Sequence, residues 1–327
     1  MHVKKGIHTF SLTHQSSYTE IQNLSVNRLC YQKSHDKYYL NSVYWITEFK
    51  DIGVEIHLYQ SLVHTSWIKL IVNPSSLLAG AYCPTTLFAD PTRIPDIKKR
   101  LRKMLDECGI DHRLKTFKLS RVDLTEDWYC DSGDEVMMRL GIFRKTYYKS
   151  PYKEIPFKSY DENEERLKGA NEHSWTISCN SCAFSVYDKT YELEKRHGIL
   201  IKDGILRTEL RLERARIRKL TRCKDWMGQL SELLSRQDGV MGVFLHRLYQ
   251  DFEELLPLDA VLDRIGSSRF HEKTKKQMMQ LVKKTSDCES LAAARKRLKM
   301  HHKELIKLLN KFRKINVNPI VNPDRRV

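Results

Sequence analysis

The chain has 327 residues, 57 Lys+Arg against 41 Asp+Glu, and a formal net charge of +16. Its 41% hydrophobic share is enough for a buried core, which excludes a disordered tail. The longest apolar run, around Val240 to Leu245, is far short of the roughly 20 residues that a membrane-spanning helix needs. The opening stretch MHVKKGIHTFSLTH lacks the apolar segment of a secretory leader, so the expected compartment is the cytoplasm and no membrane partner is expected.

The positive charge is concentrated. From Arg207 onward 28 Lys+Arg face 15 Asp+Glu, and between Asp263 and Asn318 the balance is 16 to 5. Such a field suits a polyanion, with nucleic acid the first choice; a solvated helical face is the plainer alternative. The eight cysteines are too sparse for a disulfide framework. Cys30, Cys83, Cys108, Cys130, Cys182, Cys223 and Cys288 read as small buried or half-buried thiols. The one CxxC, Cys179 to Cys182, has no second ligand pair for zinc and reads as a tight turn between two strands.

In chain order, residues 38–47 and 53–60 are rich in aromatic and β-branched side chains and read as strands. A third apolar run over 67–74 stops at Asn73-Pro74, and a short helix or turn follows. Pro91 to Asp96 opens a helix with Ile97, Leu101, Met104 and Leu105 on one face, ended by Cys108-Gly109. Residues 115–125 alternate like a strand, and Gly133 to Phe143 read as a helix. The polar stretch 144–173 interleaves basic and aromatic residues in its first half, among them Arg144, Lys145, Tyr147, Tyr148 and Lys149. That composition suits single-stranded DNA, rings on bases and cations on phosphates; an irregular surface loop fits equally well. A hairpin over 175–179 and 183–188 leads into a helix ending near Gly198. Residues 205–213 alternate with period two, Leu toward a core and Arg/Glu toward solvent or a site.

After about Ala215 heptad-like spacing takes over, with Trp226, Leu230, Leu233 and Leu234, then Val243, Phe244, Leu248 and Phe252. Pro257 to Phe312 reads as short basic helices. A boundary near 220–256 divides the chain into residues 1–220 and a basic helical part, 221–327. Within the latter a helix-turn-helix-like arrangement is expected to hold duplex DNA, with Lys275, Lys276, Arg295 and Arg297 on phosphates. The pattern as a whole is α+β.

P-loop, dinucleotide-fold, zinc-protease and serine-esterase signatures are absent. His57/His64 and His301-His302 have weak metal spacing and read as surface or strand histidines. What remains is SRVDLT (120–125), VYDK (186–189) and LRTEL (206–210). Arg121/Asp123 and Arg207/Glu209 are each two apart on an expected strand, so both members of each pair share a face. Two carboxylates from neighbouring strands suit a hard divalent ion. Tyr187, at the start of the intervening helix, would reach the same place, and tyrosine is a competent covalent nucleophile. Arg–carboxylate pairing across strands with a half-buried tyrosine is the structural alternative.

SRVDLT, VYDKTYELE and ILRTELRLE, in this order and at these separations, resemble the blocks of the filamentous-phage gene II family of replication initiators. Residues 68–80 resemble its upstream strand-and-helix block, and 307–320 resemble the end of Gram-positive phage and plasmid relatives; plasmid rolling-circle initiators carry a similar pattern. The resemblance implies an HUH-like fold, a five-stranded antiparallel sheet with helices on one face, and a nicking–joining endonuclease that starts rolling-circle replication in a bacterial host. Carried over by motif, Tyr187 would attack one phosphodiester at the origin and keep the 5′-phosphate. Lys189 would steady the phosphate or phenolate, Asp123 and Glu209 would bind Mg²⁺ or Mn²⁺, and Arg121 and Arg207 would support them. The chain departs from the HUH pattern in having no His-hydrophobic-His triplet. Tyr191, one helical turn after Tyr187, is the candidate second nucleophile. Partners would be origin DNA, melted or single-stranded, and the host helicase and polymerase. A relaxase or transposase with the same chemistry, or a non-enzymatic DNA-binding regulator, are the competing readings.

Overall fold

The computed structural model describes residues 2–27, 31–36, 41–110, 114–146, 151–155, 159–160, 166–167, 172–247, 255–288 and 290–321. The chain begins with a long strand β1 (His2–Ser16) and helix α1 (Tyr18–Asn27). Then come β2 (Tyr31–Asp36), β3 (Asn41–Ile46), β4 (Val54–Gln60), β5 (Ser66–Val72), α2 (Pro74–Ala79) and α3 (Ile94–Glu107). The middle holds β6 (Lys118–Cys130), α4 (Gly133–Arg144), three two-residue strands β7 (Lys153–Glu154), β8 (Ser159–Tyr160) and β9 (Arg166–Leu167), then β10 (Ser174–Cys179), β11 (Cys182–Asp188), α5 (Lys189–His197) and β12 (Gly204–Glu213). Helices close the chain: α6 (Arg214–Leu220), α7 (Trp226–Ser235), α8 (Gln237–Arg247), α9 (Leu258–Gly266), α10 (Glu272–Ser286), α11 (Leu291–Arg297) and α12 (His302–Lys314).

The fold is α+β, an antiparallel sheet with helices followed by a helical C-terminal region. The sheet is larger than the five strands expected: among the described residues ten strands run in the order β2-β3-β4-β5-β1-β6-β12-β11-β10-β7. The difference arises at the N-terminus. The fifteen-residue β1 pairs with β6 over most of its length and with β5 over its second half, so it joins the β2–β5 meander to the motif-bearing strands. A register shift between Ile7 and Thr9 sets His8 in a bulge, which breaks the period-two pattern that would have announced the strand.

Period-two alternation gives the sheet two unlike faces. Phe10, Val72, Val122, Leu210, Val186 and Ile177 lie on the face that α4, α6 and α7 cover, and they belong to one buried core. Trp226, Leu230 and Leu233 of α7 and Met241 and Phe244 of α8 are buried in that same core. So the helices after residue 220, assigned from sequence to the C-terminal part, pack on the sheet; Trp226 is stacked 6.1 Å from Phe10. A second core collects Leu256 to Val321, including Val261, Leu281, Leu305 and Phe312, and reaches back to Ile142 on α4.

The helix expectations for the first half hold. The α3 face Ile97, Leu101, Met104 and Leu105 is buried, and α5 ends at Gly198 with φ +63°, a left-handed cap that glycine adopts without strain. The CxxC is the two-residue turn of the β10–β11 hairpin, with Cys179 opposite Cys182. Cys223, in contrast to expectation, is exposed, and Cys30 lies outside the described residues. His57 is a buried strand residue against Trp45, and His301 caps α12 with Glu304 in a capping box.

The polar face is partly roofed. Between α2 and α3 the chain returns to β1, where Ile7 exchanges backbone hydrogen bonds with Phe88 on the edge that β5 leaves free, and the Pro84 carbonyl accepts from Arg207 on the polar face. A Cβ on Gly6 would sit 2.6 Å from the Phe88 carbonyl oxygen and 2.9 Å from Leu87 Cβ. Gly6→Ala is therefore expected to destabilise the protein by about 1–3 kcal/mol, because backbone has to move; urea unfolding at unchanged m-value measures it.

Candidate active site

The three sequence motifs meet on the polar face, on strands adjacent in the sheet. Register places Tyr187 opposite Arg207, Arg207 opposite Asp127, Glu209 opposite Thr125, and Arg211 opposite Asp123. Alternation sends Asp123, Thr125 and Asp127 of β6 and Arg207, Glu209 and Arg211 of β12 to this one face, as the spacing predicts.

Tyr187 is the next-to-last residue of β11, not a residue of the helix. Its hydroxyl donates to Glu209 Oε1 at 2.9 Å. The same oxygen lies 3.0 Å from His8 Nδ1, delivered by the β1 bulge, and 4.0 Å from Arg207 Nη1. Burial, then the Glu209 charge, push the Tyr187 phenol well above its ordinary pKa, with Arg207 pulling the other way. For Glu209 burial acts upward, but His8 first, then Arg207 and Tyr187, outweigh it and hold the carboxylate well below the usual range. Tyr187 is thus a neutral phenol at rest whose proton already points at an ionised acceptor.

Arg207 is wholly buried and forks onto Asp127, Nε to Oδ1 at 2.6 Å and Nη2 to Oδ2 at 2.7 Å. Nη2 also donates to the Pro84 carbonyl of the roofing segment at 3.1 Å. Its Nη1 is buried with no hydrogen-bond partner among the described residues. A buried guanidinium with the two N–H donors of one nitrogen left over beside a tyrosine hydroxyl can seat an anionic oxygen.

Lys189 begins α5 and is nearly fully buried, its Nζ 2.5 Å from Glu192 Oε2. Burial, then the neighbouring Arg207 charge, lower its pKa, while Glu192 and Glu209 act against them. The turn that holds Tyr187 and Lys189 apart is fixed by Asp188, whose side chain accepts from Tyr191 N at 3.0 Å as the α5 cap. Tyr191 is on the helix, stacked on His173 at 3.6 Å, so it and Tyr187 do not share a helix face as expected.

Asp123 sits elsewhere in the network. Arg121 grips it with Nε on Oδ1 at 2.9 Å and Nη2 on Oδ2, and Arg211 Nε lies 3.2 Å from Oδ1. Two guanidinium groups neutralise this carboxylate, so with Glu209 it does not form the oxygen-rich donor set that suits Mg²⁺ or Mn²⁺. Among the described residues no group of three or more His, Cys, Asp or Glu comes together to hold a metal ion.

The expected DNA contacts are scattered. Arg144 donates to the Glu172 and Ser174 carbonyls at 2.6 and 3.2 Å, and Lys145 to the Ser286 carbonyl at 3.2 Å, so both tie segments of the chain together. Tyr147, Tyr148 and Lys149 lie outside the described residues. Lys276 and Arg297 are exposed on α10 and α11, Lys275 pairs with Glu272 at 3.1 Å, and Arg295 is half-buried.

His8 and Asp127 are the members of this site that the sequence reading missed. Asp127 continues the period of Asp123 and Thr125 on a strand that runs to Cys130 rather than stopping at Thr125. His8 carries no such signal, because the bulge places it.

No family model matches the chain, and no curated protein matches its sequence. Among solved structures, a rolling circle replication initiator protein from Geobacillus stearothermophilus is similar at 9% identity and a TM-score of 0.36, over 76% of this chain and 86% of that one. No helix among the described residues is long and apolar enough to cross a membrane.

The ionised state of Glu209 sets a pH signature. A depressed folded pKa contributes stability that is present above the unfolded carboxylate pKa, about 4.3, and lost as pH falls through the folded value. Thermal unfolding of wild type is expected to lose more stability than Glu209→Gln as pH is lowered from about 5 to 3; parallel curves would refute the assignment.

Proposed function

We propose that this chain is a site-specific DNA nicking–joining enzyme that initiates rolling-circle replication through a covalent phosphotyrosine at Tyr187. The observation that carries the reading is the Tyr187 hydroxyl donating to Glu209 at 2.9 Å beside Arg207 Nη1, which has no hydrogen-bond partner among the described residues. Nucleophile, proton acceptor and a cation for the phosphate stand together.

In the proposed step the scissile phosphate approaches Arg207 Nη1 and Lys189. Tyr187 Oη attacks phosphorus while its proton passes to Glu209. The Oη–P bond forms and the P–O3′ bond breaks. The proton taken up by Glu209 passes on to the departing 3′ oxygen, which leaves as a free hydroxyl and primes synthesis, and Glu209 returns to the carboxylate. After one round, the 3′-hydroxyl of the new strand attacks the phosphotyrosine; the O3′–P bond forms, the Oη–P bond breaks, and the hydroxyl's proton passes by way of Glu209 to Tyr187. The bond count is conserved, so joining needs no ATP. Arg207 and Lys189 stabilise the charge on the non-bridging oxygens, the largest electrostatic contribution such a site makes. His8 and Asp127 act indirectly: His8 orients Glu209, and Asp127 fixes the Arg207 fork. The basic α10–α12 region would hold duplex origin DNA, and strand opening and synthesis would fall to the host helicase and polymerase.

The test is a cleavage assay on supercoiled DNA carrying the element's own origin, followed by denaturation and detection of protein attached to a 5′ end. Arms with Mg²⁺, with Mn²⁺ and with chelator decide the divalent-ion requirement that the resemblance implies. Binding without nicking in every arm would favour a DNA-binding regulator.

A further inference from the structure

On the half of the polar face away from Tyr187 the side chains change character. Trp45 stacks on His57 with ring centroids 4.6 Å apart, and Tyr59 lies against Trp67 at the same distance. His57 and Tyr59 alternate on β4, so with Trp45 of β3 and Trp67 of β5 these rings form one row on one face. A row of packed rings on a sheet is ordinarily buried by a helix. Here Trp67 is 39% exposed, and Trp45, Tyr59 and Gln15 beside them are half-buried or exposed.

Cations connect this row to Tyr187. Thr13 of β1 is opposite Lys69, Ser11 is opposite Arg121, and Thr9 is opposite Asp123, which is itself opposite Arg211. Lys69, Arg121, Arg211 and Arg207 therefore descend one face diagonally, from the aromatic row to the tyrosine. They are close enough that Arg121 and Arg211 help to depress the Lys69 pKa, after burial, while Asp123 and Glu213 oppose the shift. Arg121 and Arg211 share the single carboxylate of Asp123, so with Lys69 the line keeps a net positive charge. Cations in line with stacked rings are the chemistry of a single nucleic-acid strand, with phosphates on the charges and bases on the rings.

We infer that the open face of β3, β4 and β5 is a single-stranded DNA platform, with bases stacked on Trp67 and Tyr59 and the backbone led past Lys69, Arg121 and Arg211 toward Tyr187. The platform goes beyond the nicking reading: it binds a strand whether or not Tyr187 cleaves one. Adjacent strands are about 4.8 Å apart and residues rise about 3.3 Å along each. Trp67 and Tyr187 are therefore separated by four strand spacings and a long run along β1, a path for a strand of several nucleotides. Such a platform would hold the melted strand in register while the nick is made.

The measurement is fluorescence anisotropy with labelled dT20, the matching duplex and rU20, using the full chain as Tyr187→Phe so that no covalent product forms. Trp67→Ala is expected to weaken dT20 binding by about 5- to 100-fold while duplex binding stays within twofold. Trp67→Phe is expected to restore most of the loss, which separates stacking from a folding defect. Lys69→Glu should weaken dT20 and flatten its salt dependence. Unchanged dT20 binding in Trp67→Ala overturns the proposal, as does an equal loss on duplex. Binding of rU20 as tight and as dependent on Trp67 overturns the assignment to DNA. Dissociation of a dimer by Trp67→Ala in sedimentation would show a self-association face instead. Failure of the nicking assay leaves each of these outcomes readable.

Discussion

Tyr187→Phe is expected to abolish the protein-linked 5′ end and to lower strand cleavage on the order of 10⁴- to 10⁶-fold, to background. The substitution removes one oxygen and leaves the ring in place on β11. It deletes the hydrogen bond to Glu209, worth about 1 kcal/mol, and Glu209 keeps His8 at 3.0 Å. A folded protein that still binds DNA is therefore expected, and the loss can be read as chemistry. Glu209→Gln makes the second arm. An amide accepts a hydrogen bond but not a proton at neutral pH, so cleavage should fall while dT20 binding is kept. If cleavage survives Tyr187→Phe, the nucleophile lies elsewhere; Tyr191, stacked on His173, is the next residue to replace. If wild type binds its origin and never nicks it, the tyrosine–carboxylate pair is structural.

The second large effect is on stability. Asp127 and Arg207 are both fully buried and bound by a two-pronged ion pair. Truncating one partner of such a pair strands a charge without water. Asp127→Ala is expected to destabilise the fold by about 3–5 kcal/mol, measured as a shift of the urea midpoint at constant m-value. The double substitution Asp127→Leu with Arg207→Met should recover most of that loss, because an apolar pair of similar volume has no desolvation cost to offset. It should not recover cleavage, since the Nη1 donor is gone. Recovered stability with absent cleavage assigns Arg207 to the chemistry. Cleavage that returns with the apolar pair would remove Arg207 from it. A single-variant loss below about 1 kcal/mol would mean that water reaches the pair.

Local pattern carried a good deal of this architecture. Period two in SRVDLT and ILRTELRLE put Arg121 with Asp123, and Arg207 with Glu209, on one face of their strands, and the structure has them there. The Gly198 stop and the CxxC turn were legible for the same reason: glycine tolerates positive φ, and two residues suffice to reverse a hairpin. The placement of Tyr187 near Glu209 followed from motif order and became a 2.9 Å hydrogen bond.

What the sequence by itself determined, then, was which residues share a face and where the strands around Tyr187 lie. Tertiary structure decided the pairings across that face. Arg207 goes to Asp127 rather than to its neighbour Glu209, and Asp123 goes to Arg121 and Arg211 rather than toward the tyrosine. It also brought His8 over two hundred residues along the chain to Glu209, and folded α7 and α8 onto the sheet. The physical reason is that periodicity is a property of one segment, whereas register belongs to two. A one-residue slip between strands reassigns every partner, and a bulge such as the one at His8 inserts that slip without leaving a pattern to read.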